Sequence, residues 1–235
     1  MELRGVLLLA RGSISTFPGM LPRVRSAIVC GLLSLSLSPS VAVAHPHVFV
    51  DTGLKIILGE DGFVQGVEVS WAYDALYSML TFEDMGLDSD YDGRLNENEI
   101  GFLAGFDLNW IEGFEGDLYL ESAGAPIALG APEGRGVQIE DARIVSTHYR
   151  PLTDPVPASG VILRAYDPTF YTAYDLTRGV TVDGGCAVEV TPADLNEAYT
   201  LVEELLYATP AADAEDNFPE VGQAFADTVV IQCTE

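Results

Sequence analysis

Alternating apolar and polar residues predict a β-hairpin at the start of the folded part of the chain. Residues 47–57 are rich in β-branched and aromatic side chains, and the turn sequence GEDG separates them from the alternating segment FVQGVEVSWAY. Two such runs around a short glycine-containing turn are typical of paired antiparallel strands. Further strand-like segments, each bounded by Gly, Pro or Asp, cover residues 117–129, 137–150, 160–167, 180–190 and 228–233.

Apolar residues at helical spacing predict three helices. The segments at 75–86 and 97–111 flank an acidic loop, and the later segment TPADLNEAYTLVEELLYA opens with a Thr-Pro pair that favours a helix start. The first two helices and their loop would form an EF-hand-like helix–loop–helix inserted at about residues 75–113. The whole pattern predicts an α+β fold, with a mainly antiparallel sheet, this insertion and a late helix.

Residues 1–44 are predicted to be a signal peptide that is cleaved after Ala44. Arg23 and Arg25 precede the apolar run AIVCGLLSLSLSPSVAVA, which ends in an A-x-A cleavage pattern. Serines and a proline interrupt the run, which suits cleavage better than a permanent membrane span. We therefore expect residues 45–235 to form a single periplasmic domain that does not itself span the membrane.

The charge of the chain restricts its partners. Its 36 acidic residues outnumber 11 basic ones, which gives a formal net charge of −25. Such a field repels nucleic acids and anionic surfaces and concentrates cations. A nucleic-acid-binding function is therefore excluded.

Two cysteines are expected to form a disulfide. Cys30 would leave with the signal peptide, so Cys186 and Cys233 remain as an even pair in an oxidising compartment. A cysteine-based metal site would need a C-x-x-C partner, which the sequence lacks. The bridge would join the C-terminus to an earlier strand.

The segment DSDYDGRLNENE, residues 88–99, matches the calcium loop of an EF-hand. Such a loop needs oxygen ligands at positions 1, 3, 5 and 12, a backbone carbonyl at position 7 and a glycine at position 6. Gly93 occupies the sixth position. The predicted calcium ligands are Asp88, Asp90, Asp92, the carbonyl of Arg94, Asn96 directly or through water, and Glu99.

The calcium in this loop is expected to be structural. Regulatory EF-hands occur in pairs, but the sequence contains a single such loop and only Met79 and Met85 after the signal peptide. Outside the cytosol, calcium fills weak sites of about 10⁻⁴ to 10⁻³ M permanently. The ion would pin the inserted helix pair, and a lanthanide would also suit the carboxylates.

The histidines suggest a second, transition-metal site. His45 and His47 open the processed chain, and on an extended strand they share a face with Asp51. The α-amino group and imidazole of His45 could chelate a metal together, while Pro46 has no N–H for a square-planar amide chelate. Imidazole suits zinc, nickel, cobalt or copper. The third histidine of the chain, His148, is the expected additional ligand.

Catalytic residues are not predicted anywhere in the chain. The sequence contains neither a nucleophile elbow nor a phosphate loop, and histidines for acid–base catalysis are few. A tyrosine-rich segment at 166–175 is interpreted as a strand edge and turn, because aromatic residues favour strands.

Five segments together resemble domain of unknown function family 1007, periplasmic proteins described as components of an uncharacterised transport system. They are AHPHVFVD, VEVSWAYD, DSDYDGRLNENE, AYDPTFY and VVIQC. Members are associated with nickel/cobalt-type efflux permeases, so the resemblance implies metal handling and a membrane metal permease as partner. The resemblance implies functional roles for His45, His47 and Asp51 of the opening motif and for the residues of the acidic loop.

These observations predict a periplasmic metal-binding accessory protein, not an enzyme, for a divalent transition-metal transporter of the nickel, cobalt or zinc class. Two alternatives remain open. One is a copper enzyme that uses the N-terminal histidine chelate for oxygen chemistry. The other is a calcium- or lanthanide-responsive binding module, in which the acidic loop itself is the functional site.

Overall fold

The computed structural model describes residues 46–208 and 218–234. The predicted signal peptide, its cleavage site and His45 lie outside the described residues. None of the helices in the described segments is long and apolar enough to cross a membrane.

The described residues form a mixed α+β fold in which strands predominate, as the sequence pattern predicts. The helices are α1 (Ala75–Met85), α2 (Glu97–Leu103) and α3 (Leu195–Ala208), with a 3₁₀ turn at Gly222–Phe225. The strands are β1 (Val48–Leu58), β2 (Phe63–Tyr73), β3 (Leu118–Ser122), β4 (Ala125–Ile127), β5 (Glu133–Glu140), β6 (Arg143–Pro157), β7 (Ile162–Ala165), β8 (Thr172–Val182), β9 (Cys186–Thr191) and β10 (Thr228–Cys233).

The strands form two five-stranded sheets instead of the one sheet expected. The first has the order β5-β6-β2-β1-β8 and the second the order β4-β3-β7-β10-β9. Pairing is antiparallel throughout these sheets except between β1 and β8, which run parallel. The prediction of a mainly antiparallel architecture is therefore confirmed.

The two sheets share one hydrophobic core. Alternate residues of the first sheet, among them Ile56 and Val67, are fully buried, and so are Leu163 and Val229 of the second sheet. All four belong to the same cluster of buried apolar side chains. Because strand residues alternate between faces, one face of each sheet packs into this common core.

The second helix is shorter than predicted. It ends at Leu103, and the left-handed Gly105 (φ 76°) follows the non-helical Ala104. The prediction of a helix through residue 111 is wrong because Trp110 turns into the core. Its indole Nε1 donates a hydrogen bond to the carbonyl of Asp107, 2.7 Å away.

Three predicted strand segments each span two strands: 117–129 contains β3 and β4, 137–150 joins β5 to β6, and 180–190 joins β8 to β9. Residues 137–150 contain a tight turn at Asp141 and Ala142, which separates β5 from β6. Both turn residues have positive φ values, 51° and 61°, as a two-residue hairpin turn requires. The sequence hides this turn because neither residue is the glycine that normally marks it.

The predicted disulfide is confirmed. Cys186 of β9 and Cys233 of β10 lie directly opposite each other in the second sheet and are joined by a disulfide. The bridge ties the last strand to the preceding one across 47 residues of chain.

Candidate metal-binding sites

The acidic loop between α1 and α2 brings three carboxylates together. Asp88, Asp90 and Asp92 each offer an oxygen, and these oxygens all lie within 4.8 Å of one another. Asp88 is 8% exposed, whereas the other two face solvent. Within the described part of the chain, this is the one group of three or more His, Cys, Asp or Glu side chains with metal-binding spacing.

The backbone of the loop folds around the Asp88 carboxylate. Its Oδ1 accepts a hydrogen bond from the N–H of Asp92 (3.0 Å), and its Oδ2 accepts one from the N–H of Gly93 (3.1 Å). Asp92 in turn accepts from the N–H of Arg94 at 2.8 Å. These bonds aim the carboxylates inward, and the positive φ of Gly93 (73°) makes the sharp turn possible.

The last two predicted calcium ligands cap the helix that follows. Asn96 accepts hydrogen bonds from the N–H groups of Asn98 (3.0 Å) and Glu99 (3.2 Å). Glu99 Oε2 accepts from the N–H of Asn96 at 2.9 Å, which completes a capping box. Glu99 is therefore held beside the carboxylate group and does not belong to it in this structure.

The loop also contacts the hairpin turn of the first sheet. A Cβ placed on Gly93 would lie 2.8 Å from Cβ of Ala142 in the β5–β6 turn. Real Cβ atoms essentially never approach so closely, so a glycine is required here for space as well as for backbone conformation. The inserted loop is thus anchored to the sheet at this point.

Two predicted transition-metal residues lie near the start of β1. His47 is exposed, its N–H donates to the carbonyl of Tyr171 at 2.8 Å, and the two rings lie 4.8 Å apart. Asp51 is bound to Arg143 Nη1 at 2.7 Å and accepts from Thr177 Oγ1 at 2.6 Å. The Thr177 hydrogen bond, followed by Arg143, lowers the pKa of Asp51. The Asp51 carboxylate is therefore already paired with a cation of the protein, the Arg143 guanidinium.

His148 lies inside the protein. It is 0% exposed, and its ring is 4.5 Å from the ring of Trp71 and 5.7 Å from that of Trp110. Both ring nitrogens are buried without a hydrogen-bond partner in the described residues. Burial, together with the nearby Arg150 charge, lowers the pKa of His148 to about 4, so the ring is neutral. The structure does not bring His148 to His47 or Asp51.

Other carboxylates that could have joined the histidines serve the backbone. Asp74 caps α1 by accepting from the N–H of Tyr77 at 2.9 Å, and its second oxygen accepts from the N–H of Phe49 at 2.9 Å. Asp167 accepts from the N–H groups of Thr169 and Thr172. Both carboxylates hold turns in place.

Two buried tyrosine–aspartate pairs were not predicted from the sequence. Asp107 accepts from the hydroxyl of Tyr73 at 2.9 Å and from Ser146. Asp117 accepts from the hydroxyl of Tyr174 at 2.8 Å, and burial raises the pKa of Asp117 to about 7. Asp107 was missed because its segment has a helical pattern in the sequence. In addition, each pair joins residues that are far apart in the sequence, which a local pattern does not reveal.

The donor set of the acidic loop suits a hard cation. Three carboxylates supply only oxygen ligands, which calcium and the lanthanides prefer, and no nitrogen ligand that zinc, nickel or copper would favour. The N-terminal histidines, by contrast, offer nitrogen ligands, which zinc, nickel, cobalt and copper favour. The loop carboxylates and the imidazole of His47 therefore favour different classes of metal.

Comparison with known proteins places the chain in a family. A family model described as a protein of unknown function, DUF1007, matches residues 30–233. The match spans most of the chain, and the chain therefore belongs to this family. The family description names no activity. A search of curated proteins found no match.

Proposed function

We propose that this member of the DUF1007 family is an exported metal-binding accessory protein that serves a divalent transition-metal transporter and carries a structural calcium ion in its acidic loop. The observation that supports the metal-binding role is the approach of the Asp88, Asp90 and Asp92 oxygens to within 4.8 Å of one another. In a strongly acidic chain, three converging carboxylates repel one another unless a cation lies between them.

The calcium site would have the ligand order of an EF-hand. This proposal is supported by the helices α1 and α2 on either side of the loop and by the left-handed conformation of Gly93. The carbonyl of Arg94, the side chain of Asn96 and the carboxylate of Glu99 would complete the shell. Glu99 would exchange its hydrogen bond to the Asn96 N–H for the ion.

A structural role for this ion follows from where the loop lies. It connects the two inserted helices and contacts the β5–β6 turn at Ala142. An ion bound there would hold the insertion against the first sheet. In a calcium-rich compartment a weak site of this kind stays filled, so it would stabilise the protein instead of signalling.

The transported metal would be bound at the N-terminus. His47 is exposed and directly precedes β1, and His45 lies two residues before it in the sequence. After cleavage, the amine and imidazole of His45 and the imidazole of His47 would offer three nitrogens to zinc, nickel, cobalt or copper. Asp51 and His148 are left out of this proposal, because the first is paired with Arg143 and the second is buried elsewhere.

The cellular role rests on the sequence. The signal-peptide pattern supports a periplasmic location, and the family resemblance supports a membrane metal permease as the partner. The accessory role is proposed as non-catalytic, since an exposed histidine such as His47 suits capture and release of a metal.

Elemental analysis of the correctly processed protein tests both sites. We expect about one calcium and one transition-metal ion per chain when both are supplied. Asp88→Ala should remove the calcium alone, and a double His45→Ala, His47→Ala variant should remove the transition metal alone. Asp84→Ala, at an exposed carboxylate of α1 outside the loop, is the matched control and should retain both.

Three outcomes would contradict the proposal. Absence of any transition metal from the processed wild-type protein would rule out the transport role. Calcium retained by Asp88→Ala would rule out the loop as its site. Copper-dependent turnover of oxygen or peroxide would instead support the enzyme alternative, and partner binding that depends on calcium but not on His47 would support the calcium-responsive module.

A further inference from the structure

A groove on the outer face of the second sheet has the features of a separate ligand site. It has a volume of about 450 Å³ and is lined by residues of β3, β4 and β7 and the segments around them. Tyr119 and Glu121 alternate along β3 with the buried Leu118 and Leu120, so their side chains lie on the face turned away from the core. The volume is within the range of small-molecule sites.

Two stacked tyrosines line the groove. The rings of Tyr119 and Tyr166 lie 4.2 Å apart at an angle of 21°, and both side chains are half-buried. Stacking fixes both rings in place. The two inner ring faces cover each other, so a ligand in the groove would meet the outer face of a ring. Beside the two rings, Pro126 of β4 pairs with Glu121 and adds an apolar surface on the same face.

Carboxylates surround this aromatic surface. Glu115 and Glu121 line the groove itself. Burial, with smaller contributions from Asp117, Asp167 and Glu115, raises the pKa of Tyr119 to about 12. Burial raises the pKa of Tyr166, the charge of Arg164 opposes this rise, and Glu121, Asp117 and Glu220 add to it. The carboxylates that line the groove therefore favour positive charge near the two rings, and Arg164 opposes them at Tyr166.

The one cation that lines the groove is already paired. Arg164 Nη1 lies 3.3 Å from Glu121 Oε1, and its Nε donates to Thr228 Oγ1 at 3.1 Å. An anionic ligand would have to displace Glu121 and approach the remaining carboxylates. The groove thus repels anions.

We propose that this groove binds a small organic cation, with its ammonium group against the Tyr119–Tyr166 pair and its carbons against Pro126. Attraction between a cation and the face of an aromatic ring favours an alkylated ammonium, which loses less hydration than a metal ion when it leaves water. An inorganic cation would be bound by carboxylates alone and would gain little from the rings. Neither the acidic loop nor His47 contributes a residue to the lining of this groove.

Choline and its neutral carbon analogue 3,3-dimethylbutanol are the matched probes, measured by calorimetry and ligand-observed NMR on the processed protein with calcium present. Choline should bind saturably and at least about tenfold more tightly than the alcohol, since the two differ only in charge. Tyr166→Leu and Glu121→Gln should each weaken choline binding by roughly tenfold, whereas Tyr166→Phe should retain it.

Tyr207→Leu is the control for loss of a tyrosine, because this side chain is 92% exposed on α3 and distant in sequence from the groove. It should leave choline binding unchanged. Equal binding of choline and the alcohol would overturn the proposal. Wild-type affinity for choline in both single variants, Glu121→Gln and Tyr166→Leu, would overturn it as well. Should Tyr166→Leu fail to fold, Glu121→Gln and the paired probes decide the question.

Discussion

His148 and Asp51 lie on opposite faces of the same sheet. Asp51 pairs with Ala72 of β2, which pairs with Val145 of β6, and His148 comes three residues after Val145. An odd number of residues along a strand reverses the face. His148 therefore points into the core between Trp71 and Trp110, while Asp51 meets Arg143 on the outside. A single metal ion cannot reach both side chains.

The burial of His148 predicts a loss of stability in acid. Its pKa is about 4 in the folded protein, below the value of 6.5 expected for an exposed histidine. The unfolded chain therefore binds more protons between these values, and the free energy of unfolding falls as pH drops from about 6.5 to 4. The loss is at most about 3 kcal/mol.

Urea unfolding of the wild type and His148→Phe over this pH range measures the effect. The phenylalanine variant should lose less stability on acidification than the wild type, because it lacks the titrating ring. Parallel pH profiles for the two proteins would show that His148 is not a buried neutral histidine.

The titration of Asp117 should have the opposite effect on stability, which falls as the pH rises. Burial raises its pKa from 3.8 to about 7, so the folded protein holds a proton that the unfolded chain has lost. Its contribution is complete below about pH 4, and stability is lost as pH rises toward 7, by at most about 4 kcal/mol. Asp117→Asn should therefore gain stability over the wild type as pH rises from 4 to 8.

Asparagine is a suitable replacement at this position. It can accept the hydrogen bond from Tyr174 and tolerates the positive φ of 52° found at Asp117. The measurement is the difference in unfolding free energy between the two proteins at each pH. A difference that stays constant with pH would contradict a raised pKa.

Calcium should raise the melting temperature through the acidic loop. A ligand that binds only the folded state stabilises it by about 2.7 kcal/mol when present at 100 times its dissociation constant. Asp88→Ala should remove this calcium dependence, and Asp84→Ala should keep it. Differential scanning calorimetry with calcium or a chelator makes the comparison. Equal calcium shifts in wild type and Asp88→Ala would place the ion elsewhere.

Gly93→Ala should destabilise the protein more than Gly62→Ala. Both glycines have positive φ, 73° and 77°, so each substitution strains the backbone by about 1–2 kcal/mol. A new Cβ at position 93 would also clash with Ala142, whereas position 62 has no atom within 4 Å. We expect a further loss of about 1–3 kcal/mol for Gly93→Ala. Equal losses in chemical denaturation would mean that the loop does not press against the β5–β6 turn.

Local pattern was sufficient for the elements whose neighbours are close in sequence. The first hairpin was predictable because its alternation and GEDG turn lie within one short segment, and it forms over Val48–Leu58 and Phe63–Tyr73. Likewise the late helix follows from its own spacing. The carboxylates of the acidic loop lie within twelve consecutive residues, so their close approach could be predicted from the sequence.

Long-range packing overrode local pattern at Trp110. Its segment has helical periodicity, yet the helix ends at Leu103 because the indole gains more by packing against His148 and the guanidinium of Arg150, 4.6 Å away. The same contacts fill the space around His148. Sequence spacing reveals that a histidine is present but not which face of which sheet it occupies.

The sequence by itself determined the α+β class, the hairpin, the disulfide partners and the spacing of the acidic loop, because each depends on neighbouring residues or on simple pairing. Only the tertiary structure decided that His148 is buried, that Asp51 belongs to Arg143, and that Tyr119 and Tyr166 share a groove. These three relations join residues that sheet register and core packing bring together. They cannot be predicted from local sequence patterns, because the partners are far apart in the chain.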